Sequence, residues 1–406
     1  MVRRARALAA RAASVLTTRR HVLPPTVDRA LDAAKFARTP WTADPPDVPT
    51  LVSPRSGAPA RVLIGPANFA GQGLAWAAAL DRAGVPAVAW AFTADPTFRY
   101  GADHVAPLRA VHRSSRAYQR RVFDAVASCV EAVVIEAGRP LFGRLHGFDP
   151  VAEARALEAR GVRVALLWHG TDVRVPSAHV ATHPESPFGP GGDPRTAALE
   201  SVALRNRRRA AGFDGPVLVS TPDLLPGWPG ARWCPVVVDA AAWASDAGVL
   251  ERAVPRVAFA PSNGVLKGAD LVERALRPLV AEGLVEHRVV AGVPAHEVRD
   301  LYRDADVVLD QFRLGIYGVA ACEAMAAGRL VVSHVDAQVR DAVRDTAGRD
   351  LPVVETTGDA LGATLRAVLA DRDAARATAA AGPALVAELH DGRRSAQVLV
   401  EALLAR

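Results

Sequence analysis

Three groups of residues have the types and spacing to do chemistry. The segment Pro261-Ser-Asn-Gly264-Val-Leu-Lys267-Gly268 puts an ammonium after a glycine and two small polar residues, just before a helical stretch. An ammonium beside the free amides of a helix start suits a phosphate. Apart from Lys35 and Lys267, all 49 basic residues are arginine. A lysine retained on that background marks a place where a compact ammonium serves better than a guanidinium fork. In the second group, Gly315 and Gly318 precede another helix and let backbone approach a ligand closely. Glu323, on the first turns of that helix among apolar residues, can accept bonds from vicinal hydroxyls, as on a ribose. In the third, His169-Gly-Thr-Asp172-Val-Arg174 follows a buried apolar run directly. A His there can bond a hydroxyl or phosphate, and an Asp172–Arg174 pair can order the loop. Each feature has a plain alternative: a solvated Lys267, a Glu323 paired to arginine, glycines as packing points, a His169 bonded to backbone. Taken jointly, they favour recognition of a phosphate and a diol.

Such groups need strand ends and helix starts to hold them. Residues 61–64 form a short apolar run ending in Gly65-Pro66; Asn68-Phe-Ala-Gly71-Gln-Gly73 then opens a helix over 74–83, and 85–90 is a strand. This is a βαβ unit with a glycine loop at Gly71 and Gly73. Strands follow at 132–136, 162–168, 217–220 and 236–238, with a helix at 151–160. A second series begins at 257–260 and continues through a helix near 269–282, a strand at 288–291, a helix at 296–303, and strands at 307–310, 330–333 and 352–355. Residues 358–406 read as largely helical. Two consecutive Rossmann-like sheets imply a cleft between them, and ligands of open parallel sheets bind beyond the carboxyl ends of the strands. The expected domains are an arm and connector over 1–60, a first α/β domain over 61–240 and a second over 241–406.

Composition narrows the alternatives. Half of the 406 residues are hydrophobic and 23% are charged, which excludes a disordered chain. No apolar run approaches the roughly 20 residues that span a bilayer. Cys129, Cys234 and Cys322 form no CxxC pair, so neither a disulfide framework nor a zinc knuckle is expected. Neither GxGxxG nor GxxxxGK[ST] occurs. The net charge of +6 is matched by Arg3, Arg4, Arg6, Arg11, Arg19 and Arg20, with no acid among residues 1–21, so the remainder is balanced. The excess lies in a terminal arm and not on a domain face, which argues against nucleic acid. Arg6 and Arg11 interrupt any signal-peptide core, so a cytoplasmic protein is expected. Leu8, Ala12, Val15 and Leu16 share one helical face of the arm, which reads either as a solvated arm or as a peripheral contact with anionic membrane. Residues 22–60, rich in proline, read as an extended connector.

The segment Ala305-Asp-Val-Val-Leu-Asp310 … Gly315-Ile-Tyr-Gly318-Val-Ala-Ala-Cys-Glu323-Ala-Met-Ala-Ala-Gly328-Arg-Leu-Val-Val332 resembles the donor-binding region of retaining GT-B glycosyltransferases of the large family 4 group. Ala260-Pro-Ser-Asn263 … Lys267-Gly268 is similar to that family's first strand and phosphate loop, and His169 to Arg174 to the matching loop of its amino-terminal domain. The resemblance implies two Rossmann-like domains facing across a cleft. It implies transfer of a hexose from a nucleoside diphosphate sugar to an unknown acceptor, a glycolipid or polysaccharide, with retention and with no cofactor or metal. Lys267 would neutralise the diphosphate. Ser262 and Asn263 would belong to the donor site with Gly315. Amides near Gly318, Val319 and Ala320 would cradle the distal phosphate, and Glu323 would bind the ribose. His169 would contact the sugar near the reacting carbon, facing the Gly71–Gly73 loop. Where the family has its first glutamate this chain has Gly315, so Asp310, Gln311 and Asp172 become the candidate sugar contacts; Ser262 replaces a common Arg and Phe259 a common His. Those departures leave a second reading open, a non-catalytic GT-B module that binds nucleotide or glycan.

Overall fold

The computed structural model describes residues 17–37, 48, 50–92, 100–105, 115–290 and 293–405. The arm helix expected from Leu8, Ala12, Val15 and Leu16 lies outside the described residues.

Among the described residues twelve strands form two parallel sheets: β1 (Val62–Gly65), β2 (Ala87–Ala91), β3 (His104–Val105), β4 (Ala132–Glu136), β5 (Arg163–Trp168), β6 (Val217–Val219) and β7 (Arg232–Trp233), then β8 (Arg256–Phe259), β9 (Glu286–Val289), β10 (Val307–Leu309), β11 (Leu330–Ser333) and β12 (Val353–Glu355). The first sheet runs β3-β2-β1-β4-β5-β6-β7 and the second β12-β11-β10-β8-β9. Every residue of β1, β2 and β4 is buried. That is the pattern of parallel strands covered by helices on both faces, and it is why they read as unbroken apolar runs. Ile64 pairs with Ala89 on one side and Val134 on the other, so β1 is central and its carboxyl end opens at Gly65.

Four expectations are corrected. Residues 236–238 are not a strand. They are buried because the chain crosses between the domains there, pinned by Gln72 Nε2 to the Val237 carbonyl (3.1 Å), Val237 N–H to Gln72 Oε1 (2.6 Å) and Trp76 Nε1 to the Pro235 carbonyl (2.9 Å). The edge strand expected at 288–291 is Glu286–Val289, set by its register with β8, in which Glu286 opposes Arg256. The connector contains a helix, Pro25–Ala37. Its leading proline is tolerated because the first helical amide has no intrahelical partner. Asp28 on it is buried and meets Arg20 (2.7 Å), Arg205 (3.0 Å) and Arg209 (3.0 Å), which together hold its carboxyl below the usual range although burial alone would raise it. Finally, the last helix, Arg393–Leu403, was expected with the second domain. It packs on the first: Ala396, Val398, Leu399 and Leu403 join Val62, Ile64, Trp76 and Leu80 in one apolar cluster. Fully buried leucines of this kind contribute about 1.5–3 kcal/mol each, enough to hold the returning helix in place.

Candidate active site in the interdomain cleft

Both sheets direct their carboxyl ends at a cavity of about 430 Å³. On the second-domain side, β8 leads to Ser262, which lines the cavity, and to Asn263, which does not. Asn263 caps a one-turn helix, Gly264–Lys267, by accepting from Leu266 N–H (3.1 Å). Lys267 therefore ends a turn of helix and does not directly precede the long one. Gly268, in the left-handed region at φ 79°, separates that turn from the helix Ala269–Ala281. The Lys267 ammonium donates to Asp310 Oδ1 (2.7 Å) at the end of β10. Asp310 is fully buried and its other oxygen accepts from Gly318 N–H (3.3 Å). The carboxylate thus ties the ammonium to the start of the helix Val319–Ala326, which no side chain caps among the described residues. Among the described residues a side chain at Gly318 would meet nothing within 4 Å. Val319 and Ala320 line the cavity beside it.

Glu323, one turn into this helix, also lines the cavity. Burial pushes its carboxyl up to about 8; the Lys267 charge pulls against that and the Asp310 charge adds to it. Among the described residues nothing hydrogen-bonds its side chain. Gln311 lines the cavity too, but its amide is committed to the loop: Nε2 donates to the carbonyls of His334 (2.6 Å) and Ile316, and Oε1 accepts from Arg313 N–H (3.1 Å) and Leu314 N–H (2.7 Å). Gly315 does not line the cavity. It sits at φ 66°, and a Cβ there would run into the Asp336 carboxylate, which bonds His183 Nε2 of the first domain (2.8 Å).

On the first-domain side, the loop after β1 holds three left-handed residues, Asn68 (φ 48°), Ala70 (φ 50°) and Gly71 (φ 72°). The fully buried Glu136, at the end of β4, organises it. One oxygen accepts from Ala67 and Asn68 N–H (both 3.0 Å), and the other bonds His169 Nε2 (3.1 Å). Gly73 packs closely here: a Cβ would meet Asn68 Oδ1 at 3.2 Å and Glu136 Oε2 at 3.3 Å, so both would have to give way slightly. Gly71 and Gly73 shape the loop; its cavity-lining members are Phe69 and Ala70. His169 does not line the cavity either. Its ring packs edge-to-face on Phe69 (centroids 5.0 Å) and against Trp76 (5.7 Å). Asp172 accepts from His169 N–H (3.0 Å) and Gly170 N–H (2.6 Å). The expected Asp172–Arg174 pair is absent: Arg174 reaches Asp223 instead (2.5 Å), because Asp172 turns back onto the loop amides.

Sequence reasoning missed several members of this site. Tyr100, Trp243 and Tyr302 line the cavity from distant segments with no local signal. Burial and the Glu323 charge push the Tyr100 hydroxyl up to about 12. Glu136 did carry a signal, a carboxylate closing an otherwise apolar strand. Tyr317, between the two loop glycines, bonds His390 Nε2 (3.1 Å), and His390 Nδ1 bonds the Val236 carbonyl in the interdomain crossing (2.8 Å). Burial holds that imidazole down to about 4, so it is neutral at physiological pH.

No protein-family model matches the chain, and no curated protein matches it in sequence. In fold it is similar to sucrose-phosphate synthase from Thermosynechococcus elongatus, with a TM-score of 0.52 and 14% identity over 84% of this chain and 97% of that one. It is also similar to Anabaena HepE in complex with UDP-glucose, with a TM-score of 0.52 and 12% identity over 84% and 98% of the two chains. A glycosyltransferase from Rickettsia africae gives a TM-score of 0.54 and 10% identity over 84% and 96%. At these identities the likeness concerns the fold: two Rossmann-like domains in the GT-B architecture.

Proposed function

We propose that the chain is a retaining glycosyltransferase that moves a hexose from a nucleoside diphosphate sugar to an acceptor of the glycolipid or polysaccharide class. The carrying observation is the array Lys267–Asp310–Gly318 beside the uncapped helix Val319–Ala326, with Glu323 one turn on, in a single cleft cavity. The ammonium and the helix-end amides of Val319 and Ala320 are arranged where negative charge develops on a departing diphosphate, a form of electrostatic stabilisation that needs no metal. Asp310 keeps the ammonium oriented before the donor arrives. Glu323 takes the ribose hydroxyls. His169, with Nε2 on Glu136, positions the Phe69 wall of the cleft against the sugar. The bound UDP-glucose of the HepE structure supports a nucleotide-sugar ligand for this fold. We further assign the chain to the cytoplasm, with peripheral membrane contact through the basic arm; among the described residues no helix is long and apolar enough to cross a membrane.

One observation favours the second reading, a module that binds without catalysing: Gly315 is left-handed and a side chain there would displace the Asp336 carboxylate, so this chain is not arranged to project an acid from that position. The deciding experiment is a thermal-shift panel of UDP, GDP, ADP, TDP and their sugars on the wild type and Lys267→Ala, followed by assay of diphosphate release with a broad acceptor set. A ligand at a hundredfold excess over its Kd stabilises by about 2.7 kcal/mol. A shift in the wild type but not the variant, with acceptor-dependent release, supports transfer. A shift without release supports the module, and an equal shift in both removes Lys267 from the site.

A further inference from the structure

We propose that Arg139 is an anion-binding residue of the cleft, whose guanidinium takes a substrate phosphate, either of the donor diphosphate or on the acceptor. The inference rests on the reading of the cavity as a sugar-nucleotide site.

The backbone is bent to place this side chain. Directly after β4, Ala137 (φ 54°) and Gly138 (φ 60°) are both left-handed, and Arg139 N–H closes the turn on the Glu136 carbonyl (3.0 Å). A non-glycine residue is disfavoured in that region. A Cβ on Gly138 would press into Asn206 and Trp168 at 2.9–3.0 Å, so the turn packs closely against these neighbours. Strain of this kind, held by packing, marks sites where a side chain has to be aimed. The guanidinium carbon lies 4.7 Å from the centroid of the Phe69 ring; Phe69 lines the cavity, and the half-buried Arg139 stands against that ring without itself lining the cavity.

Its donors are unspent. Among the described residues no carboxylate or carbonyl hydrogen-bonds the Arg139 side chain. The nearby carboxylates, Glu136 and Asp172, already accept from Ala67, Asn68, Gly170 and His169. Among the described residues three other cations near the cleft are paired: Lys267 with Asp310 (2.7 Å), Arg174 with Asp223 (2.5 Å) and Arg313 with Asp270 (2.6 Å). Burial lowers the Arg139 pKa, the direction expected of a cation withdrawn from water, although Asp172 and Glu136 act against it. A guanidinium left with five directed donors is matched by the oxygens of a phosphate.

Charge balance points the same way. On the second-domain wall Asp310 cancels Lys267, and Glu323 is shifted toward its neutral form. The helix end supplies only about half a charge. A diphosphate or a phosphorylated acceptor therefore gains from positive charge added by the first domain. The loop that carries Arg139 continues through Arg144 and His146, with no acid from Ala137 to Phe148.

The test is calorimetric titration of wild type, Arg139→Gln and Arg139→Lys with pyrophosphate, UDP, GDP, ADP, TDP and uridine, and then of the diphosphate-loaded proteins with glucose and glucose 6-phosphate. Lys267→Ala is run alongside. A loss of tenfold or more in diphosphate affinity in Arg139→Gln, with partial recovery in Arg139→Lys and unchanged uridine binding, assigns the donor phosphate. Unchanged diphosphate affinity with loss of the preference for glucose 6-phosphate over glucose assigns an acceptor phosphate. If Lys267→Ala loses the diphosphate while Arg139→Gln changes neither titration, the inference is overturned and the cavity reading stands. If the wild type binds none of the phosphates, both fall. Should Arg139→Gln melt below the assay temperature, Arg139→Lys carries the comparison: full wild-type affinity for every phosphate counts against a guanidinium fork.

Discussion

Ligand binding should move the titration of Glu323. In the empty cleft burial and Asp310 hold its carboxyl up near 8 against the pull of Lys267, so at pH 7 the group is mostly protonated. A diol that donates two hydroxyls prefers the carboxylate, so the pKa falls when the donor binds and a proton leaves. The binding form is the deprotonated one. Below the free-state pKa its fraction drops tenfold per unit, and affinity drops with it; above about 8 affinity levels off. Between pH 6 and 8 the gain has a ceiling of about a hundredfold, since two units at 1.36 kcal/mol each amount to about 2.7 kcal/mol. The assay is calorimetry with the diphosphate that stabilises the wild type, from pH 6 to 9, beside Glu323→Gln. Ionisation of the phosphate itself, near pH 6, is common to both proteins and cancels in the ratio of affinities. Repeating the titration in buffers of different ionisation enthalpy counts the proton released. The same shift has the opposite consequence for the unliganded fold. A folded-state pKa above the ordinary 4.5 means stability that is present in full below 4.5 and is lost as pH rises through about 8. A wild-type to Glu323→Gln ratio that is flat across pH 6–8, or one that falls as pH rises, would refute the assignment of the ribose to the carboxylate.

Two further perturbations test the surroundings of the site. Because His390 Nδ1 donates to the Val236 carbonyl, Nε2 has to accept, and Tyr317 has to be the donor. Tyr317→Phe therefore leaves a buried acceptor unmet and should destabilise by about 1–3 kcal/mol in urea titration; a change below about 0.3 kcal/mol would mean the bond is not made. For the arm, deletion of residues 1–16 leaves the Arg20–Asp28 anchor intact and should reduce sedimentation with anionic liposomes, the more so at low salt. Full-length protein that stays in the supernatant at low salt disposes of the membrane contact.

How far the chain could be read in advance follows from how local each feature is. Parallel strands covered on both faces are apolar whatever their neighbours, so 132–136 and 330–333 were legible to the residue. Apolarity reports burial, however, and not pairing. Residues 236–238 are as apolar as a strand but lie in the crossing between domains, where Gln72, Trp76 and His390 take the place of a ladder. The exposed edge strand Glu286–Val289 has the reverse problem, since polar residues suffice there and its register comes from β8. The site divides along the same line. Lys267, Gly318 and Glu323 each sit in a short strand–loop–helix segment, and the fold brings them to one cavity because successive parallel strands open at the same edge. What completes them is distant in sequence: Asp310 on Lys267, Asp336 in the space at Gly315, Asp223 on Arg174, and Glu136 on His169. These are carboxylates whose partners depend on which strand lies beside which. A sequence shows that such groups have to be satisfied, because buried charge is costly unpaired, but only the topology says by whom. Arg139 is the converse case, a cation whose carboxylate neighbours are all engaged elsewhere. That surplus is invisible until the neighbouring pairings have been placed.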